Sequence, residues 1–320
     1  MEFKVKKISS DASFREFYRV QKNKKSSIIV VAKKNKKKNL FIYCAVNEIL
    51  NKNKILAPKL INNFSHKNII EISDLGKTSF LDFIKKKKNK TKEYKKLIDL
   101  INKMQNIKFK KIYNFKKKKI RFGTYTIKNL HKESDLFFDW YLKSFKNIKK
   151  FSLIKLKIKK ELNIIYKKLY FKNKYFTHRD FHVSNIMVSK KKLGLIDSQD
   201  AILGNPLYDV ASLIDDVRIK IPKKIQIELF DYYFAKSKLE KKNKLNFKND
   251  FDILSVQRNL KILGIFVRLF KRDKKPNYLK YLPYTWTLIE RRMKNPVFYN
   301  LSTLMKKYLQ LKKIKKIKIA

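Results

Sequence analysis

The chain has 320 residues and a formal net charge of +55, the difference between 81 basic and 26 acidic side chains. This length suits one bilobed domain or two smaller ones. The single cysteine, Cys44, excludes an intrachain disulfide and indicates a reducing compartment. The N-terminus lacks the apolar core of a signal peptide, and no uncharged apolar stretch approaches the length of a membrane span, so we expect a cytoplasmic protein.

The charge surplus is carried by lysine, since only ten of the 81 basic residues are arginine. Proteins that bind nucleic acid favour arginine, because its planar guanidinium can donate two parallel hydrogen bonds to a base or a phosphate. We therefore interpret the lysines as codon bias on a solvated surface. Binding to nucleic acid or to an anionic membrane is the alternative interpretation.

Residues 1–75 are predicted to be rich in strands, with one helix. The predicted strands are 14–20, 27–32 and 68–72, and the helix is 40–50. The following part is predicted to be mainly helical, with helices at 79–84, 92–107, 134–145, 154–170, 207–217, 223–236, 250–270, 277–293 and 299–312. Two short strands, 186–189 and 193–196, interrupt it. The lysine runs 85–88 and 116–119 are predicted to be solvated loops.

This order predicts an α+β protein with the layout of a kinase. Residues 1–75 would form a nucleotide-binding lobe, and residues 76–320 would form a catalytic and substrate-binding lobe. Together the two lobes would make one phosphotransferase domain.

Acidic residues are concentrated between positions 180 and 216, where six of the 26 lie. Asp180 and Asn185 have the five-residue spacing of a kinase catalytic loop, and Asp197 follows a short apolar strand. A carboxylate is needed to accept the proton of an acceptor hydroxyl, and Mg²⁺ prefers oxygen ligands. We therefore predict that Asp180 is the general base and that Asn185 and Asp197 hold the metal.

Three blocks resemble the aminoglycoside phosphotransferase family, which has a protein-kinase-like fold. The blocks are His178-Arg179-Asp180-Phe181-His182-Val183-Ser184-Asn185, Leu195-Ile196-Asp197 and Asn205-Pro206-Leu207-Tyr208-Asp209-Val210-Ala211. Ser198-Gln199-Asp200 stands where protein kinases have Phe-Gly after the metal aspartate. Segments 10–15, 73–76, 133–142 and 257–266 are similar to one branch, the anomeric sugar kinases that act on N-acetylmuramate and N-acetylglucosamine in cell-wall recycling.

The resemblance implies a small antiparallel-sheet N-lobe, a larger mostly helical C-lobe, and ATP and Mg²⁺ as cofactors. It implies that Ser13 lies in the turn covering the nucleotide and that Asp74 begins the hinge, whose backbone would contact adenine. Lys33 occupies the position of the phosphate-binding lysine of kinases, with Glu48 as its helix partner. A solvated lysine run is the alternative for Lys33.

The resemblance also suggests residues for the substrate and for support of the loop. Asp200 would face the sugar. Trp140, with Tyr141 beside it, would stack on the sugar ring or pack in the core. Arg258, with Lys261, would meet a lactyl carboxylate or remain a surface charge. His178 would brace the catalytic loop or donate a proton, and Asp209 would orient that loop.

The predicted function is therefore ATP-dependent phosphorylation of a small sugar, at the anomeric hydroxyl of N-acetylmuramate or N-acetylglucosamine. One alternative is another small-molecule kinase of the same family, of the aminoglycoside, choline, homoserine or methylthioribose type. A second alternative is a basic nucleic-acid- or membrane-associated pseudokinase. The oligomeric state has no signature in the sequence.

Overall fold

The computed structural model describes residues 3–8, 15–23, 25–32, 37–145, 148, 150–190, 192–239, 243–309, 311 and 314. The chain divides into two compact units. Unit 1 comprises Met1–Gly123 and Tyr175–Leu203, and unit 2 comprises Thr124–Lys174 and Gly204–Ala320. Because unit 1 also includes residues well beyond position 75, the division into lobes 1–75 and 76–320 stays a prediction.

The main sheet of unit 1 has five antiparallel strands in the order β1-β2-β3-β5-β4. The strands are β1 (Phe3–Ile8), β2 (Arg15–Lys22), β3 (Lys25–Ala32), β4 (Leu60–Phe64) and β5 (Ile69–Ser73). Strand β3 has the expected period of two, since Ile28, Val30 and Ala32 are buried and their neighbours are more exposed. Arg15 lies directly opposite Ala32 in the β2–β3 register, so their side chains share the buried face.

The rest of unit 1 consists of helices and short strand pairs. The helices are α1 (Lys37–Lys52), α2 (Phe80–Lys85) and α3 (Lys90–Gln105). The pairs are β6 (Ile112–Phe115) with β7 (Lys118–Arg121), β8 (Tyr175–Thr177) with β11 (Ile202–Gly204), and β9 (Ile186–Ser189) with β10 (Lys192–Leu195). The prediction of a solvated loop at 116–119 is wrong for its second half. Lys116 and Lys117 make the turn, whereas Lys118 and Lys119 belong to β7.

Unit 2 is helical. Its α-helices are α4 (Ile127–Leu136), α5 (Phe151–Lys167), α6 (Leu207–Ile214), α7 (Lys223–Lys236), α8 (Lys244–Lys271), α9 (Leu282–Arg292) and α10 (Tyr299–Tyr308). The 28-residue α8 is buried on most of its surface and packs against α4, α6 and α9. Asp215, at the end of α6, is fully buried and accepts hydrogen bonds of 2.8 Å from both Nε and Nη2 of Arg292 in α9. This bidentate ion pair ties two helices of the unit together.

The predicted helix 134–145 differs from the observed structure at its start and in its form. Helix α4 begins at Ile127, because the Thr126 side chain and the Asn129 side chain cap each other's backbone N–H groups. After Leu136 the chain continues as a π-helical turn, Phe137–Tyr141. Thr126 and Asn129 are the local signal that sets the start of this helix.

Gly264 of α8 lies against the end of α4, and its replacement by alanine is predicted to destabilise unit 2. A Cβ at this position would clash with the carbonyl carbon and oxygen of Leu136. In an open helix, Gly→Ala would stabilise, but here the backbone clash dominates and we expect a loss of about 3 kcal/mol. Thermal unfolding followed by circular dichroism measures the loss. The exposed Leu245→Ala in the same helix is the control, and equal melting of the two variants would contradict the packing described.

The predicted α+β class with an antiparallel sheet is confirmed. Throughout the described part of the chain, no helix combines the length and the apolar character needed to cross a membrane.

Candidate active site

The segment between β8 and β9, named here loop 178–185, closes on itself through hydrogen bonds. The carbonyl oxygen of Asp180 accepts from the backbone N–H of His182 and from Nδ2 of Asn185, both at 3.0 Å. The backbone N–H of Asn185 donates to the carbonyl of His182 at 2.9 Å. These contacts use only the main chain of Asp180, so among the described residues its half-buried carboxylate adds no hydrogen bond that closes the loop.

A second set of contacts joins this loop to the residue before Asp197. The backbone N–H of Ile196 donates to the carbonyl of Asn185 at 3.0 Å. The ring Nε2 of His178, which is fully buried, hydrogen-bonds the carbonyl of Ile196 at 3.1 Å. Asp180, Asn185 and Asp197 therefore belong to one local arrangement. The bracing role of His178 stays a prediction, and this contact is the kind it requires.

Two residues of this arrangement have left-handed backbone conformations. Arg179 has a φ of 73° and Asp197 has a φ of 64°. Such angles are uncommon for residues other than glycine and concentrate at functional sites, where the surrounding structure holds them in place. They occur here beside the predicted base and at the predicted metal ligand.

Asp197 is paired with a buried arginine from the main sheet. Nη2 of Arg15 forms an ion pair with Oδ1 of Asp197, and Nη1 of Arg15 donates to Oε1 of Gln199 at 2.9 Å. The Arg15 side chain is only 3% exposed. A guanidinium so deeply buried requires such partners, because the loss of hydration is otherwise severely unfavourable.

Helix α1 meets the segment after Asp197 through an amide. The buried Asn47 accepts a 2.7 Å hydrogen bond from the Ser198 hydroxyl. The neighbouring Glu48 instead accepts from Lys52 at 2.7 Å and from the Tyr113 hydroxyl at 2.6 Å. Lys33, for which Glu48 was the predicted partner, lies outside the described residues.

Asn185 and Asp197 fit a magnesium ion by the chemistry of their donor atoms. The amide nitrogen of Asn185 is occupied by the Asp180 carbonyl and by Nε2 of His182, at 3.0 and 3.2 Å, which leaves the amide oxygen as its ligand atom. Arg15 contacts Oδ1 of Asp197, which leaves the other carboxylate oxygen, Oδ2, as the ligand atom of this residue. No cluster of three His, Cys, Asp or Glu side chains occurs among the described residues. Mg²⁺ bound with substrate phosphates does not require one, since one or two protein oxygens suffice.

Asp74 connects three parts of unit 1 through its side chain. It accepts from Nε of Arg19 at 2.6 Å, from the Ser26 hydroxyl at 2.9 Å and from the backbone N–H of Gly76 at 2.8 Å. Burial alone would raise the pKa of Asp74, but these hydrogen bonds together hold it below its usual value. The predicted adenine contact of this segment was a backbone one, whereas the carboxylate itself has a structural task. Its role at the nucleotide stays a prediction.

Asp74→Asn is expected to destabilise the protein by about 2 kcal/mol at neutral pH, the range for hydrogen bonds to a charged group. Because the folded-state pKa is lowered, this contribution is complete above the unfolded-state pKa and is lost as the pH falls through the folded-state pKa. The difference in melting temperature between wild type and variant should therefore shrink in acid.

Arg19→Gln and the double variant Arg19→Gln/Asp74→Asn complete a double-mutant cycle for this ion pair. The loss of stability in the double variant should be smaller than the sum of the two single losses, since both substitutions break the same ion pair. A difference in melting temperature between wild type and Asp74→Asn that stays constant from neutral to acid pH would contradict this role of the Asp74 carboxylate.

The other candidates in unit 1 are placed as follows. Asp200 is exposed, and its carboxylate accepts from Nε2 of Gln199 at 3.1 Å. Ser13, like Lys33, lies outside the described residues. Cys44 is buried, which raises the pKa of its thiol to about 12, as expected for an inert side chain.

The candidates in unit 2 differ in exposure. Trp140 is half-buried, whereas Tyr141 is a core residue whose hydroxyl accepts from Nε1 of Trp286 at 2.6 Å. Arg258 is only 4% exposed, and its Nη1 has no hydrogen-bond partner in the part of the chain that is described. Arg258 is thus not a surface charge. Lys261 forms a 3.1 Å ion pair with Glu133, and Asp209 is buried in the first turn of α6.

The model of the phosphotransferase enzyme family matches residues 4–241 of the chain. The chain belongs to this family. The expectation that it is an enzyme transferring a phosphoryl group is therefore confirmed.

Two curated relatives of this phosphotransferase carry the same name, N-acetylmuramate/N-acetylglucosamine kinase. The relative from Pseudomonas aeruginosa is 26% identical over 292 residues, covering 89% of this chain and 83% of the relative. The relative from Neisseria meningitidis is 26% identical over 291 residues, covering 88% and 83%.

Solved structures agree with this phosphotransferase in fold. A thermostable mutant of aminoglycoside phosphotransferase APH(4)-Ia has a TM-score of 0.63 at 11% identity, covering 90% of this chain and 94% of that one. A choline/ethanolamine kinase family protein from Mesorhizobium loti has a TM-score of 0.60 at 13% identity, covering 95% and 92%. Spectinomycin phosphotransferase, solved with ADP and its antibiotic, has a TM-score of 0.56 at 12% identity, covering 92% and 90%. The predicted protein-kinase-like fold is confirmed.

Arg15 contacts a residue of the candidate site, and the sequence did not reveal this contact. It was only the end of a block of similarity, and its contact with Asp197 joins positions 182 residues apart. Its residue type was a usable signal. In a chain that uses lysine as its ordinary cation an arginine is uncommon, and at a buried position its planar, multi-donor group can hold several partners.

Proposed function

We propose that this phosphotransferase uses ATP and Mg²⁺ to phosphorylate the anomeric hydroxyl of N-acetylmuramate or N-acetylglucosamine, giving the sugar 1-phosphate. The observation that carries the proposal is the similarity to two kinases of that name over 83% of their length. The arrangement of Asp180, Asn185 and Asp197 supports it, because it supplies a base and two oxygen ligands within one set of contacts. We place the reaction in the cytoplasm, where ATP is supplied.

Each residue of the arrangement has a task in this reaction. Asp180 accepts the proton of the acceptor hydroxyl while the hydroxyl oxygen attacks the terminal phosphorus of ATP, the bond from that phosphorus to the bridging oxygen breaks, and ADP leaves. The anomeric hydroxyl suits a carboxylate base, because the ring oxygen withdraws electron density and makes it the most acidic hydroxyl of the sugar. Asn185 and Asp197 would hold Mg²⁺, which neutralises charge on the phosphates. His178 keeps the segment before Asp197 against the loop.

A screen of ADP release across acceptors tests the proposal. The panel contains N-acetylglucosamine, N-acetylmuramate, their methyl glycosides, aminoglycosides and choline. We expect ADP release with the two free sugars and none with the methyl glycosides, in which the anomeric oxygen carries no proton to transfer. Turnover with an aminoglycoside or choline, and none with the sugars, would overturn the proposal.

Arg258 is proposed to bind the lactyl carboxylate, which N-acetylmuramate has and N-acetylglucosamine lacks. Its support is a buried guanidinium with one nitrogen that has no partner among the described residues. Arg258→Gln should lower kcat/KM for N-acetylmuramate by about 10- to 100-fold relative to N-acetylglucosamine, the range for losing a charged hydrogen bond.

The ratio of the kcat/KM values for the two sugars does not depend on how much of the Arg258→Gln protein is folded. Lys271→Gln, which removes an exposed cation of the same helix, is the control and should leave the ratio unchanged. A parallel fall with both sugars would count against this role of Arg258.

A further inference from the structure

In the described part of the chain, a cation from β2 contacts the proposed metal ligand. Arg15 begins this strand and forms an ion pair with Asp197, while its second terminal nitrogen donates to Gln199 at 2.9 Å. The rings of Phe17 and Tyr43 lie 5.5 and 5.4 Å from the centre of the guanidinium. Contacts with a carboxylate, an amide and two aromatic rings fix the orientation of this charge as well as its position.

A buried cation held in this way indicates a binding function beyond packing. Replacing a buried ion pair by apolar residues is often neutral or stabilising, so such pairs are weak explanations of stability alone. Here the pair includes a residue proposed to hold Mg²⁺ next to nucleotide phosphates. A guanidinium has five N–H donors in one plane, so a single group can bind a carboxylate and phosphate oxygens together.

The surrounding residues distinguish this arrangement from that of protein kinases. In protein kinases a lysine from β3 binds phosphates and is held by a glutamate of the following helix. In this chain the corresponding helix α1 directs the amide of Asn47 toward Ser198, and Glu48 binds Lys52 and Tyr113. Strand β3 ends at Ala32, directly opposite Arg15, and the next residue, Lys33, lies outside the described residues. Among the described residues, the cation that pairs with Asp197 therefore comes from β2, which lies next to β3 in the sheet.

We propose that Arg15 is the phosphate-binding cation of this enzyme. It bridges Asp197 and the nucleotide phosphates from β2, in place of a lysine at the end of β3. This inference rests on the proposed use of ATP, and it assigns to Arg15 direct contact with the nucleotide.

The test compares the binding of MgADP and of adenosine by titration calorimetry, because only MgADP carries phosphates. Arg15→Gln should weaken MgADP binding by about 10- to 100-fold, the range for charged hydrogen bonds, and leave adenosine binding unchanged. The affinity of Arg15→Lys for MgADP should lie between those of Arg15→Gln and wild type, since lysine keeps the positive charge without the planar set of donors of a guanidinium. Arg121→Gln removes an exposed arginine of unit 1 and should match wild type.

Each other result overturns the inference in a recognisable way. Equal weakening of adenosine and MgADP in Arg15→Gln would assign Arg15 a structural role only. If Lys33→Gln bound MgADP no more tightly than adenosine, while Arg15→Gln bound both ligands as wild type does, the phosphate-binding role would belong to Lys33. If wild type itself binds neither ligand, the proposed use of ATP fails first, and the assignment of Arg15 fails with it.

Discussion

Asp180→Asn is expected to lower turnover by about 10² to 10⁴-fold, the range for loss of a general base. Loop 178–185 is held by the backbone carbonyl of Asp180, which the substitution preserves. Asparagine has nearly the same shape as aspartate but cannot accept the proton. The variant should therefore fold and bind MgADP as wild type does, with the loss confined to kcat.

Steady-state kinetics with N-acetylglucosamine, together with calorimetry of MgADP, separates these effects of Asp180→Asn. Asp82→Asn makes the same chemical change at an exposed carboxylate of unit 1 and serves as the control. Near-normal turnover of Asp180→Asn would remove Asp180 from the role of base. A large loss of MgADP affinity would instead assign Asp180 to the nucleotide site.

Asp197→Asn and Asp197→Ala are expected to abolish the effect of magnesium on nucleotide binding. Wild type should bind ADP more tightly with Mg²⁺ than without it. In both variants this gain in affinity for ADP should fall by about 100-fold or more. A loss of that size is beyond the range for a residue that only supports a metal ligand. The variants also leave Arg15 buried without its carboxylate partner, so we expect a lower melting temperature in both.

Calorimetry of ADP with and without Mg²⁺, below the melting temperature of each variant, measures the magnesium effect. Asp200→Asn is the matched control, because Asp200 lies three residues farther along the chain and is exposed. It should keep the full gain from magnesium. An undiminished gain in Asp197→Ala would show that Asp197 is not a metal ligand.

The core of the candidate site was predictable because it is local in sequence. Asp180 and Asn185 are five residues apart, and Asp197 follows the next hairpin, so short-range geometry brings them together. The hydrogen bonds from Asn185 to the Asp180 carbonyl and from Ile196 to the Asn185 carbonyl carry out this assembly. A motif of this kind contains most of its own structure.

Contacts between distant positions were not predictable. Arg15 meets Asp197 across 182 residues, and Arg19 meets Asp74 across 55. Both depend on the register of the main sheet, which period-two patterns locate only approximately. Strand β1 was missed for a related reason, since it is an edge strand whose side chains are mostly exposed and whose lysines obscure the alternation.

The acidic cluster between 180 and 216 proved to be two groups rather than one. Its first three members, Asp180, Asp197 and Asp200, lie in unit 1. Asp215 instead binds Arg292, and Asp216 binds Arg218, inside unit 2. Concentration along the sequence led to the prediction of a site, but it could not separate the acids of the candidate site from acids that connect buried helices.

Transfer of labelled phosphate from the terminal position of ATP to N-acetylglucosamine tests the central claim most directly. With Mg²⁺ and wild-type enzyme, the account predicts that label moves to the sugar and is released by mild acid, as expected of an anomeric phosphate. Label that stays in ATP or appears only as inorganic phosphate would contradict a sugar kinase. Label in an acid-stable sugar ester would contradict the anomeric position.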